Sequence, residues 1–246
     1  MDCAQDGYFY RCYSNRSAGE LRSGKYHDGH LPLTKEDRLH EFNIHRDRNN
    51  KQPTALVSVT DRPLEALHRA LAKYYDSDED PGRIWIVIIR VPDGADNNGP
   101  RHAGSLAQQI NLDADIFQHE YVFEWEIPQQ YVEHVVSVRT LLGRRIGRII
   151  DLGFPDFRTT RDALVKGILD SDDAYGTGRL LGSLAQAFGT GTYTYEIALQ
   201  TLQNCLSVGK IDEDHQYVHY GGGLCRSLGF NAICSIELGI QDQLDW

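Results

Sequence analysis

No stretch of this chain is long and apolar enough to span a bilayer. The longest uninterrupted aliphatic and aromatic run is Ile84 to Ile89, against the roughly 20 residues a spanning helix needs. The opening MDCAQDGYFYRC lacks both the basic and the apolar region of a secretory leader. Cysteines are few and odd in number: Cys3, Cys12, Cys205, Cys225 and Cys234 show no paired spacing. That argues against a disulfide framework and for reduced thiols. These absences together lead us to expect a cytoplasmic protein with no membrane partner. Positive charge is scarce too, with 25 Lys and Arg against 35 Asp and Glu, which disfavours double-stranded DNA as a partner. The acidic turn Asp76 to Asp80 lacks the Gly and terminal Glu of a calcium loop, so no metal site is expected.

What is present is unevenly placed. Residues 1–70 hold eleven of the basic residues, ten of the acidic ones and five of the ten histidines. The remainder is strongly acidic. An anion-binding cleft built largely from the N-terminal part fits this asymmetry. Strands are expected at Tyr8–Tyr13, Ala55–Val59, Ile84–Val91, Tyr121–Glu126 and Tyr131–Val138, from alternation and β-branched content. A short helix is expected at Lys35–Phe42. A second helix follows Val59, capped by Thr60 or Asp61, with Leu64, Leu67, Leu71 and Tyr74 as its apolar stripe. Pro92 to Phe117 reads as a long polar loop. Beyond Leu141 helices are expected at Thr159–Leu169, Arg179–Ala187 and Tyr193–Ser207. The fold class is therefore α+β, with a core over residues 1–140 and a mainly helical region over 141–246.

Three blocks carry chemistry-bearing residues. YFYRCYS places Arg11 on the first strand; LVSVTDRPLEAL places Ser58 and Thr60 at the end of the second; QHEYVFEWEIP places Gln118 and Glu120 at the head of a later one. Arginine offers a planar, permanently charged fork for phosphate oxygens. A carboxylate beside a sugar favours an oxocarbenium-like transition state over the ground state. Two residues apart on a strand, Gln118 and Glu120 would share a face.

In this order and these contexts the blocks resemble the catalytic core of the ADP-ribosyltransferases. The resemblance is in particular to the branch that includes the cholera-like enterotoxin A subunits and their uncharacterised fungal relatives. The resemblance spans about residues 7 to 138. It implies a split, twisted ADP-ribosyltransferase-like β-sheet and NAD as a substrate. Glu120, Ser58 and Gln118 would be catalytic, with Glu120 on the ribose, Ser58 holding it and Gln118 facing the acceptor. Arg11 and Thr60 would serve the cofactor, together with a histidine on the adenosine ribose, His45 or His40. Three positions depart from the family pattern: Val59 stands where threonine is usual, Thr60 where serine is usual, and Gln118 replaces a glutamate. Gln-x-Glu goes with acceptors other than arginine, so a protein or small nucleobase acceptor is implied. A rival reading is a tRNA-dependent acyl-transfer enzyme on the same scaffold, a fungal cyclodipeptide synthase drawing on arginyl-tRNA.

Overall fold

A computed structural model describes residues 7–47, 50, 52–95, 99–146, 173–206, 210–211, 217–220, 223–226 and 230–245, as backbone only over 206–230. The chain divides into two compact units, each discontinuous: Met1–Asp61 with Arg83–Val135, and Arg62–Gly82 with Val136–Trp246. The fold is mixed α+β.

A six-stranded antiparallel sheet is built from β1 (Gly7–Ser14), β2 (Leu56–Thr60), β3 (Ile84–Val91), β4 (Arg101–His102), β5 (Glu120–Glu124) and β6 (Val132–Ser137). Its order is β4-β5-β2-β1-β3-β6. Pairing is continuous within each half: β1 runs against β3 from Gly7↔Val91 to Ser14↔Ile84, and β2 against β5 from Leu56↔Glu124 to Thr60↔Glu120. Between the halves, β1 and β2 meet at Tyr10↔Thr60. The sheet is thus two three-stranded ribbons joined at its middle by one residue pair.

Alternation sends each strand's side chains to opposite faces. On one face Val57, Val59, Val87, Ile89 and Phe123 form a core with Phe9 and Tyr121 packed against it. On the other, Leu56 and Val122 are covered by Phe42 of α1 (Lys35–His45) and by Ala103, Leu106 and Ala107 of α3 (Ala103–Gln109). Helix α1 starts where Thr34 accepts the Asp37 N–H at 3.1 Å, satisfying one of the helix's unpaired first-turn donors.

The second unit contains α2 (Pro63–Tyr75), α4 (Val138–Gly143), α5 (Ala174–Phe188), α6 (Thr192–Leu206) and α7 (Phe230–Leu244). A small sheet of β7 (Lys210–Ile211), β8 (Tyr217–Tyr220) and β9 (Gly223–Arg226) completes it. Helices α5 and α7 cross at glycines. A Cβ on Gly178 would run into the Ile236 carbonyl, and one on Gly239 into that of Tyr175. Gly178→Ala should therefore reverse the usual sign. In an open helix the change gains about 1 kcal/mol; here overpacking should leave a net loss of about 1–3 kcal/mol. Gly143→Ala is the control, since nothing lies within 4 Å of its added methyl. Urea midpoints for both variants decide it: an unchanged Gly178→Ala midpoint would mean that the helices do not cross so closely.

Several elements differ from the sequence reading. Helix α2 is capped at Arg62, without a side-chain cap, because the Asp61 carboxylate is bonded to His119 and Thr60 stays in β2. The expected loop at 92–117 contains β4, α3 and a 3-10 turn at Ala114–Phe117. Strand β5 stops at Glu124, because Trp125 turns to φ +66°. Helix α5 begins five residues early, since the Asp173 carboxylate accepts the Gly176 N–H at 2.7 Å. The helix expected at Thr159–Leu169 lies outside the described residues. Among the described residues, no helix is long and apolar enough to cross a membrane.

Candidate functional site

The site begins with a buried carboxylate on α1. One Glu41 oxygen accepts the Ala55 N–H at 2.8 Å and the other accepts from Lys25 Nζ at 2.6 Å. These bonds dock the helix at the head of β2. One turn on, His45 lies on the same helix face and reaches both Thr54 and Ser58. Its Nδ1 is 2.8 Å from Thr54 Oγ1, and its Nε2 is 2.5 Å from Ser58 Oγ.

Ser58 and Glu120 share a sheet face through the β2–β5 register. The residue directly opposite Ser58 is Val122, so Ser58 meets Glu120 on the diagonal, a reach open to same-face neighbours. Ser58 Oγ donates to Glu120 Oε1 at 2.7 Å. Among the described residues, the second Glu120 oxygen carries no hydrogen bond.

Donor counting sets the direction of the whole chain. A carboxylate only accepts, so the Ser58 proton points to Glu120. Ser58 Oγ must then accept from His45 Nε2–H, which leaves Nδ1 as acceptor for the Thr54 hydroxyl. The order Thr54, His45, Ser58, Glu120 is a one-way relay of donors ending on the carboxylate. This differs from a serine-hydrolase triad, where serine donates to histidine and histidine to the acid.

A neutral imidazole is what this relay requires. Burial lowers the His45 pKa, outweighing the Glu120 carboxylate, which acts in the opposite direction; the Arg11 charge adds to the lowering. A histidine harder to protonate when folded gives its full stability above its unfolded pKa of about 6.5. That contribution falls as pH drops through this value toward the folded one. Urea midpoints should therefore fall below about pH 6.5 in the native chain and fall less in His45→Gln. Equal slopes would remove His45 as the cause.

Arg11 acts differently from a simple phosphate fork. Its Nε donates to Glu20 O at 2.6 Å, Nη1 to Ser58 O at 2.7 Å and Nη2 to Gly19 O at 3.0 Å. Where β1 and β2 part, the guanidinium takes up the carbonyl of the serine that orients Glu120. Any contact with an anionic ligand is made by a group already fixed in place.

The remaining sequence candidates separate. Thr60 is buried directly opposite Glu120. His40 is exposed on α1, so of the two histidines it is His45 that joins the relay. Gln118 is not on the strand and does not share a face with Glu120. It is an exposed residue with helical dihedrals (φ −52°, ψ −32°) after the 3-10 turn, its carbonyl accepting from His102 Nε2 at 2.9 Å. Sequence reasoning missed Thr54, Glu41 and the His119–Asp61 bridge of 2.9 Å, which ties the two strand ends at the site. The spacing of Glu41 and His45 on one helix face was the available signal.

Two cavities of about 530 and 550 Å³ open in the same unit; neither is lined by Ser58, His45 or Glu120. The relay is therefore defined by its hydrogen bonds. Among the described residues, no cluster of three His, Cys, Asp or Glu side chains is placed to hold a metal ion.

A split antiparallel sheet with a carboxylate-terminated relay at its junction defines this as an α+β protein with a built polar site. The chain belongs to the family described as domain of unknown function DUF7587, which matches residues 4–141. No curated protein and no solved structure matches it.

Proposed function

We propose that the chain is an NAD-dependent mono-ADP-ribosyltransferase or NAD glycohydrolase, in which Glu120 stabilises the ribosyl oxocarbenium. The observation that carries this reading is the relay from Thr54 to Glu120. It orients one carboxylate oxygen and leaves the other for the sugar. Heterolysis of the ribose–nicotinamide bond sends its electron pair out with nicotinamide and builds positive charge on the ribose. A carboxylate already held in position meets that charge without reorganising. Water or an acceptor nucleophile then bonds to the ribose C1′ and loses its proton.

The ADP-ribosyltransferase-like fold belongs to the same proposal and is supported by the division of the sheet beside Arg11. In this reading Gln118 meets the acceptor at the rim, whether protein side chain or small nucleobase. Thr60 and Arg11 brace β1 and β2 beside the carboxylate at which the dinucleotide binds in this reading.

The test is incubation of the full chain with NAD, following free nicotinamide by chromatography and melting temperature by calorimetry. Nicotinamide release together with a raised melting temperature is the expected result. NAD left intact, with no shift in melting, removes the proposal. A cyclic dipeptide formed from arginyl-tRNA instead would establish acyl transfer in its place.

A further inference from the structure

A second site is built at the opposite end of β5 from Glu120. Glu124 lies four strand steps on from Glu120, about 13 Å along a strand. There the chain makes a three-residue turn: the Glu126 N–H donates to Glu124 O at 2.7 Å around Trp125 at φ +66°. This is a rare and strained γ-turn for a bulky side chain.

Every polar group of Trp125 is tied down. Its N–H donates to Ala55 O at 2.6 Å, its carbonyl accepts the Ser23 N–H at 2.6 Å, and its indole Nε1 donates to Leu31 O at 2.8 Å. The indole is thus a fixed, half-buried plate with His30 tilted against it at 5.1 Å between ring centroids. It forms part of the wall of the 530 Å³ cavity, a volume suited to a small organic ligand.

The charged side chains lining that cavity balance in sign, and Glu124 is also held by Arg38, outside the lining. Arg22 pairs with Glu126 at 3.2 Å, and Arg101 with Glu124 at 3.1 Å. Glu124 stays ionised: burial alone would raise its pKa, but hydrogen bonds from Arg38, the Leu33 N–H and Arg101 bring it below the usual carboxylate value. The lining thus carries as many positive as negative side chains, each in an ion pair. Gln129 and Gln130 add exposed carboxamides at the rim, each with a donor side and an acceptor side.

We propose that this cavity binds an uncharged, planar heteroaromatic ring of the nucleobase kind. The ring stacks on Trp125, and its hydrogen-bonding edge is read by Gln129 and Gln130. Stacking is available to any base, because every base has a π-face. The paired donor and acceptor of a glutamine side chain match the edge of a base. This site is separate from the relay, and its occupancy does not depend on the reaction proposed there.

Adenosine, guanosine, cytidine and uridine, each titrated into the full chain with calorimetric detection, test it. Saturable binding of at least one nucleoside is expected. Trp125→Leu should weaken that binding by about ten- to a hundredfold. Because Trp125 anchors a turn, the exposed pair Gln129→Ala/Gln130→Ala is the second variant, and it should weaken binding by about tenfold with the fold intact. Glu120→Gln should leave nucleoside affinity unchanged. No saturable binding below about 1 mM, binding indifferent to both the Trp125 and the glutamine changes, or loss in Glu120→Gln would each overturn the proposal.

Discussion

Glu120→Gln should lower nicotinamide release from NAD by about a thousandfold or more, with the melting temperature held near that of the native chain. The glutamine oxygen still accepts from Ser58, so the side chain keeps its place and only its charge is lost. The difference between the two proteins then reports the electrostatic contribution to the transition state. Ser58→Ala should cost less, about ten- to a hundredfold, because the carboxylate remains but is no longer held. Release undiminished in Glu120→Gln would take the carboxylate out of the mechanism. Equal losses in the two variants would point to position, and not charge, as what matters.

Phe42→Ala should destabilise the chain by about 3–5 kcal/mol, the range for removing a fully buried aromatic. Its ring is completely buried, packs with Leu56, Leu106 and Val122, and meets Phe117 at 5.4 Å between ring centroids. The same helix carries His45 three residues on, so the cavity left behind loosens the helix that supports the relay. Activity should fall along with the urea midpoint. A loss below about 1 kcal/mol would mean that α1 is not seated on the sheet as described.

The legible parts of the fold were those whose local pattern agrees with their burial. Ile84–Val91 is β-branched almost throughout, and the strand has those limits. The apolar stripe of α2 was readable for the same reason, with Leu64, Leu67 and Leu71 all buried. Helix α3 was not, because AGSLAQQ is short and its buried face is mostly alanine and glycine, which leave little periodic signal. The end of β5 was hidden because Glu124-Trp125-Glu126 alternates like a strand. Its turn is supported by long-range bonds that local pattern does not carry, from Trp125 to Ala55 and Leu31 and from Ser23 to Trp125.

At the candidate site, the structure brings Ser58 and Glu120 together by simple strand alternation, whereas Arg11 alternates to the other face and reaches only the Ser58 carbonyl. The choice between His40 and His45 needed the position of Glu41, whose partners lie in separate parts of the chain. Gln118 was misplaced because the 3-10 turn before it delays the strand to Glu120. The two-residue spacing therefore does not carry a shared face.

The parting of β1 and β2 has a further effect. A central strand ordinarily gives its carbonyls to its neighbours, and side-chain mutations leave that pattern untouched. Here the carbonyl of Ser58 goes to a guanidinium, so one side chain substitutes for a rung of the ladder. The main chain of β2 is in this respect held by a side chain, so replacing Arg11 removes a main-chain tie as well as a charge.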